Sequence, residues 1–306
     1  MICTVTLNPA VDHTIQLETF PEPDEVARTD TDRFDAGGKG INVAQYLHTL
    51  GVDTVATGLV GDFLGAYIER ELDADGVANA LVHIAGRTRL NTTITARHEE
   101  YKINHRGPRV DADSIDRIIG VLDEYDPQVV LVAGSLPPGL GSSDIDRIAA
   151  AGSWQTAVDV GGELLSQLDG EYLLCKPNRE ELAAATGAPV DSRADCIAAA
   201  DALRAQGFRW VITSLGAEGA LAIGDTERLY AAALAVEVAD TVGAGDAMLA
   251  GVLAAFDAGD DARTALKQGI AVASRMVSVS GTRLESGDGI AFDADRVELT
   301  DLAAQP

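Results

Sequence analysis

Val129–Ser135, reading VVLVAGS, settles the architecture of this chain. Five consecutive apolar residues, three of them β-branched, make a strand's length, and the missing polar alternation means that both faces are covered. Such a strand belongs inside a parallel sheet. It stops at Gly134-Ser135, a small polar turn.

The same signature recurs on both sides: ICTVTL from Ile2, TVATGLVG from Thr54, TAVDVG from Thr156, LLCKPN from Leu173 and WVITSLG from Trp210. Between these runs lie helical patterns, among them Ile41 to Leu50, Ile115 to Tyr125 and Ala194 to Gln206. The alternation predicts an α/β fold with three layers, a mostly parallel central sheet between two layers of helices. Four runs end in polar or glycine-containing turns, at Asn8-Pro9, Gly134-Ser135, Lys176-Pro177-Asn178 and Ser214-Leu215-Gly216. Ligands of such sheets collect at the carboxyl ends of the strands. Two segments, about residues 12–34 and 91–110, carry β-type alternation (HTIQL, TTITARH, YKINHRG) with no intervening helix, and are expected to form a small β lid. No repeat or linker divides the rest, so residues 1–306 read as one domain with that lid; the tail after Phe292 is polar and uninformative.

Composition narrows the function. The 306 residues are 46% hydrophobic but only 5% aromatic, which favours Ala, Val and Leu packed between helices and a sheet. A net charge of -25 argues against nucleic acid and anionic membranes as partners, because like charges repel. The acids are scattered (Asp111, Asp113, Asp116, Asp123, Asp257, Asp260, Asp261), and lysine occurs only at positions 39, 102, 176 and 267. That pattern predicts a solvated surface adapted to high salt, as in a halophilic host. Cys3, Cys175 and Cys196 lack metal-ligand spacing and read as buried, reduced thiols; His13, His48, His83, His98 and His105 are scattered and read as structural or surface residues. With no signal peptide or apolar span of about 20 residues, a soluble cytoplasmic protein is expected.

The chemistry concentrates in Asp240–Gly251, DTVGAGDAMLAG. Gly243 and Gly245 flank Ala244 in a loop that leads into a helix carrying Met248, Leu249, Val252, Leu253 and Phe256 at apolar spacing. The amides of Ala244, Gly245 and Asp246 are then expected to point outward from a helix N-terminus, where phosphate is favoured. Asp246 reads either as a helix cap or as a base that accepts a proton from an attacking hydroxyl.

Four other segments accompany it. DAGGKGINVA (Asp35 to Ala44) is neither GxxxxGK[ST] nor GxGxxG, which disfavours a P-loop and a dinucleotide enzyme. Its Gly37 and Gly38 allow close approach to a sugar, Lys39 offers a charge to a phosphate and Asn42 an amide, with an ordinary tight turn carrying a surface lysine as the lesser alternative. Asn8 and Asp12 can bracket polyol hydroxyls or form an Asx turn. Arg87, Arg89 and Asn91 share one face of an extended strand, with Lys102 on the next, and can clamp an anion or guard an edge. Asn178 and Glu181 in KPNREE suit a magnesium ion held through its waters, or a capping box. Ser214, Gly216, Glu218 and Gly219 in TSLGAEGAL form a turn able to border a nucleotide.

TLNPAVD, AGGKGINVA, GRTRLN, AGSLPPGL, KPNREEL, SLGAEGAL and DTVGAGD stand in one order and spacing, and from Thr6 to the GTR at Gly281 the chain resembles the ribokinase-like (PfkB) sugar kinases. The resemblance implies ATP-dependent phosphorylation of a sugar phosphate, with fructose 1-phosphate phosphorylated at its C6 hydroxyl. Tagatose 6-phosphate, a neutral sugar or a nucleoside are the alternative substrates, and a sugar or nucleotide sensor on the same fold is the non-enzyme alternative. It further implies Asp246 as base and Gly243, Ala244 and Gly245 as an anion hole. Asp12, Gly37, Gly38, Asn42, Asn91 and Ser135 would hold the sugar, with Lys39, Arg89 and Lys102 at its phosphate. Lys176, Asn178, Ser214, Gly216, Gly219, Gly243 and Gly245 would border ATP, with Asn178 and Glu181 at Mg2+, a K+ ion as a further cofactor, and a homodimer joined through the lid strands. One departure bears on the phosphate end: where related kinases carry a lysine after the first lid strand, this chain reads EPDEVAR, with Arg28 the nearby cation.

Overall fold

A computed structural model describes residues 1–306 apart from 98, 280–283, 285–288 and 303–306, and apart from the side chain of Phe292. His98 and the GTR at Gly281 lie outside the described residues. Strands are numbered along the chain. After β1 (Ile2–Thr6) come β2 (Ala10–Leu17) and β3 (Asp32–Gly37), then the helix Lys39–Thr49 and β4 (Thr54–Val60). The helix Asp62–Ala74 leads to β5 (Val82–His83), followed by β6 (Arg89–Ala96) and β7 (Glu99–Asn104). Helices then separate β8 (Val129–Ala133), β9 (Gln155–Asp159), β10 (Tyr172–Cys175) and β11 (Phe208–Ser214); β12 (Ala220–Ile223), β13 (Arg228–Ala231) and β14 (Leu299–Asp301) complete the strands.

Ten strands form one sheet in the order β14-β13-β12-β11-β10-β9-β8-β1-β4-β5, parallel from β5 through β11. Every residue of β1, β4 and β8 is buried, the threonines of β1 and β4 included, as sequences without a charged residue allow. Beyond β11 the direction reverses: β12, β13 and β14 pair antiparallel. The sequence reading found no strand there, although ALAI and RLYA flank a tight turn closed by Gly224 N donating to Glu227 O at 2.9 Å. The C-terminal segment is likewise not featureless, since Leu299–Asp301 extends this edge.

Progress along the sheet reverses beside β1: β4 and β5 lie on one side, β8 to β11 on the other. The carboxyl ends of β1 and β8 therefore diverge into opposite connections and leave a crevice between them. Residues 8 and 135 border it.

A second sheet of four strands, β3-β2-β6-β7, stands apart from the first. Eight parallel pairs join β2 to β6, from Ala10 opposite Arg89 to Leu17 opposite Ala96. Its strands thus begin at Ala10, slightly earlier than the alternation indicates, and end at Asn104; residues 105–110 are loop. Arg87 falls before β6, so it does not share the strand face of Arg89 and Asn91. Its Nε instead donates to Asp62 at 3.0 Å and its guanidinium lies over the Phe63 ring.

Candidate active site

The DTVGAGD loop turns through Gly243, whose φ of 78° lies in the left-handed region that glycine enters without strain, and launches the helix Ala244–Asp257. Among the described residues no side chain caps this helix. Ala244 does not present its amide outward as expected, because its N–H reaches back to Thr241 O at 3.4 Å. Among the described residues, the Gly245 and Asp246 amides have no protein acceptor. This end of the helix offers two free donors and its dipole to an anion.

Asp246 is 8% exposed, and its Oδ2 accepts a hydrogen bond from Asn42 Nδ2 at 2.8 Å. Burial, then the nearby Asp159 charge, raise its pKa from the ordinary aspartate range to about 6, against the opposing pull of Lys176, Asn42 and Lys39.

Lys39 opens the helix Lys39–Thr49, and its first turn is pressed against β1. A Cβ at Gly40 would collide with the Thr6 hydroxyl, and Gly38 has a φ of 123° beside Pro9. Lys39 Nζ lies 2.8 Å from Asp159 Oδ1 and 3.4 Å from Glu181 Oε1. Burial alone would lower this ammonium's pKa, but Asp159 and Glu181 outweigh it and the pKa is raised. Lys39 is therefore committed to the β9 side of the site and does not face a phosphate beside Arg89, as the sequence had led one to expect. Asn42, expected on the sugar, is turned to the Asp246 carboxylate.

Lys176, at the end of β10, is 4% exposed and places Nζ 3.2 Å from Asp159 Oδ2. A Cβ on Gly245 would lie 3.3 Å from that nitrogen, so the ammonium sits beside the helix N-terminus. Asp159, with no exposed side-chain surface, and Asn8 are the residues that motif reading undervalued. Each was visible as a polar residue at, or just beyond, the carboxyl end of a strand.

At the crevice, Asn8 Nδ2 donates to Ser135 Oγ at 3.1 Å and to Arg106 O at 3.2 Å. Arg89 supports the same corner, with Nε on Asn8 O at 3.0 Å and Nη1 on His105 O at 3.3 Å. On the small sheet, Asn91 Nδ2 donates to Asp12 Oδ1 at 2.8 Å, and burial raises the Asp12 pKa. A Cβ on Gly37 would strike the Asp12 carboxylate, so this glycine makes room for Asp12 first and for any ligand second. The Asn8 and Asn91 Oδ1 atoms are buried without a partner among the described residues. Lys102 does not join Arg89. It lies opposite Thr93, about 13 Å further along the sheet at ordinary strand rise, and pairs with Glu100 at 2.9 Å. Arg28 lies in an exposed loop outside the strands.

Asn178 and Glu181 form the capping box: Asn178 Oδ1 accepts from Glu181 N at 2.8 Å, and Glu181 Oε2 accepts from Asn178 N at 2.9 Å. Only Glu181 Oε1 faces the site. Among the described residues no cluster of three or more His, Cys, Asp or Glu side chains is arranged around a metal position. The pair can hold a divalent cation only through water, as hydrated magnesium prefers. Ser214 N donates to Pro177 O at 3.1 Å, tying the Ser214 and Gly216 turn to KPN. Gly219 is explained by its hairpin, since its φ of 107° and its closeness to Ala231 O exclude a side chain. One hollow, of about 570 Å³, borders the site and includes Ser135, Gly162 and Glu181. Another, of about 340 Å³, lies at the carboxyl end of the helix Ala262–Val277 and includes Leu234, Val236, Ser274, Ser278 and Val279; Asp240 N, at the start of the DTVGAGD loop, donates to Val277 O of this helix end at 3.2 Å.

A buried carboxylate, two ammonium groups and free helix amides at strand carboxyl ends fit a phosphotransferase of the three-layer α/β class. Residues 5–287 match the pfkB family carbohydrate kinases, and the chain belongs to that family. It is 50% identical to the 1-phosphofructokinase of Haloferax volcanii over 300 residues, covering 98% of each protein. The 1-phosphofructokinase of Borreliella burgdorferi is 33% identical, with 94% of this chain and 95% of the relative covered. Among solved structures, phosphofructokinase-2 from Escherichia coli in complex with potassium superposes with a TM-score of 0.89 at 27% identity, covering 96% and 98% of the two chains. Ribokinase from Thermotoga maritima shares the fold with a TM-score of 0.79 at 19% identity, covering 96% and 99%. No helix among the described residues is long and apolar enough to cross a membrane.

Proposed function

We propose that this protein is a 1-phosphofructokinase, transferring the γ-phosphoryl group of ATP to the C6 hydroxyl of fructose 1-phosphate to give fructose 1,6-bisphosphate. The observation that carries the reading is the buried Asp246, held by Asn42 beside the free Gly245 and Asp246 amides and the Lys176 ammonium. Asp246 accepts the hydroxyl proton, and the amides and lysines take up charge developing on the transferred group. Asn42 orients the base. Asp12, Asn91, Asn8 and Ser135 hold the sugar, with the buried, unpartnered amide oxygens of Asn8 and Asn91 as acceptors for its hydroxyls. Arg89 is the cation at the sugar's phosphate end. The chain's 50% identity to a named 1-phosphofructokinase supports this substrate.

ATP lies with its phosphates at Gly243–Asp246 and its base toward the 340 Å³ cleft beside Val236. Mg2+, which neutralises phosphate charge when bound, is held through water by Glu181 and the Asn178 corner. K+ is a further candidate cofactor, supported by the potassium complex of the E. coli relative. Exposed Phe34, Tyr101 and Ile103 share the outer face of the small sheet, and a homodimer forms by covering that face. Ile103→Asp is expected to convert a dimer to a monomer in light scattering; an unchanged mass excludes this face.

A coupled assay in high potassium chloride, offering fructose 1-phosphate, tagatose 6-phosphate, fructose 6-phosphate, ribose and adenosine, tests the substrate. Fructose 1-phosphate is expected to give the highest kcat/KM, and preference for a neutral substrate overturns the reading. Asp246→Asn is expected to retain sugar binding but lose at least about 1000-fold in kcat, whereas unchanged turnover would exclude Asp246 as base.

A further inference from the structure

Asp159 has no motif of its own, yet it occupies the electrostatic centre of the site. It ends β9 with a side chain removed from solvent, and its two oxygens face two ammonium groups carried by different elements: Lys39 at 2.8 Å and Lys176 at 3.2 Å. The Lys176 contact is an ion pair without hydrogen-bond alignment, since Asp159 Oδ2 has no hydrogen-bond partner among the described residues. A buried carboxylate with this environment is expensive to place, and a structural ion pair needs only one lysine. The second lysine requires an account.

The groups facing Asp246 supply it. From the helix Lys39–Thr49 come Lys39, Asn42 and the buried Tyr46 phenol; from β10 comes Lys176; from β9 comes Asp159. Glu181 acts through Lys39. Without Asp159, both ammonium groups would have Asp246 as their remaining buried anion nearby. A base paired with two lysines is a poor proton acceptor, and lysines paired with the base are not available to a phosphoryl group. We infer that Asp159 is a positioning residue for phosphoryl transfer, whose carboxylate draws Lys39 and Lys176 away from Asp246 and holds Lys176 beside the helix N-terminus. The same negative charge keeps Asp246 basic, so one side chain arranges the cations and maintains the base. This inference rests on the reading of Asp246 as base.

Asp159→Asn keeps the shape and removes the charge. It is expected to lower kcat at least about 100-fold while the KM for the sugar changes less than about threefold, because Asp159 is directed at the lysines. The acid limb of the kcat/KM profile is expected to move down by about one pH unit, since a like charge has left Asp246. A merely structural residue would leave that limb in place. Asp159→Glu is expected to restore the position of the limb and part of kcat. Retained kcat in Asp159→Asn, or a loss of kcat with an unmoved limb, overturns the inference. Should Asp159→Asn not fold, Lys176→Met decides with Asp159 intact: the limb of the residual activity is expected to move up, and an unmoved limb overturns the inference. Failure of the underlying reading is distinguishable, because it shows as turnover surviving in Asp246→Asn with Asp159 untouched.

Discussion

Asp246 illustrates how a residue's function opposes its stability. Its folded pKa, about 6, lies above the ordinary aspartate value, so the charged form is disfavoured by folding. The resulting stabilisation is fully present below the unfolded pKa and is lost as pH rises through about 6. At pH 8 the native enzyme therefore carries a strained carboxylate. Asp246→Asn is expected to melt a few degrees higher than the native enzyme at that pH, with the difference shrinking toward pH 4; a lower melting temperature at pH 8 would contradict the assigned environment. Catalysis requires the opposite protonation state. With fructose 1-phosphate, kcat/KM is expected to level off above neutrality and to fall about tenfold per pH unit below the raised pKa. Asn42→Ala removes a hydrogen bond that favours the carboxylate, so this limb is expected to move upward and kcat to drop about tenfold; an unshifted limb would show that Asn42 does not hold the base.

At the scale of elements, the base is aimed by a helix pair. The helix Ala244–Asp257 packs on Ala262–Val277 through Gly251, where a Cβ would come within 2.8 Å of Gln268 O, and Gly269, where one would come within 2.8 Å of Val252 Cγ2. Gly269→Leu must push the helices apart, with an expected cost of about 1–3 kcal/mol and a shift of Asp246 away from Asn42. Thermal melting and kcat are expected to fall together; a full kcat in a destabilised variant would show that the helix keeps its place. The sequence made the parallel strands legible because burial on both faces writes itself as unbroken apolar runs. It made the helix starts legible through glycine and Asn178. The antiparallel edge was not legible, because four-residue strands such as Ala220–Ile223 are shorter than the window in which a period can be read. Within the site, residue types at strand ends were found readily. Their partners were not: Lys39 offers the same letter whether it faces a sugar phosphate or Asp159, and only the fold decides between them. Arg87 and Lys102 were over-read for the same reason, since sharing an alternation does not establish sharing a site.

For the whole molecule, the net charge of -25 is the dominant fact. Most ion pairs on its surface are exposed and individually worth little, so they do not offset the summed repulsion. Raising the salt from about 0.1 M to about 1 M shortens the screening length from about 10 Å to about 3 Å. The melting temperature is expected to rise steeply over that interval in potassium chloride, and a flat response would show that the acidic surface carries no salt requirement. The site itself is shielded by burial and responds less than the surface.

The contacts that assemble the site are remote in sequence. Asn8 meets Ser135 across 127 positions, Lys39 meets Asp159 across 120 and Asn42 meets Asp246 across 204. Such pairings close slowly, because long loops must be ordered before their contacts are gained. A nascent chain emerging from the ribosome can complete the β1–β4 pair early, yet it cannot orient its base until the helix that carries Asp246 has been synthesised and docked. Enzymatic activity thus reports the final joining of the chain's two ends, and in refolding it should return after the sheet's spectroscopic signal has already recovered.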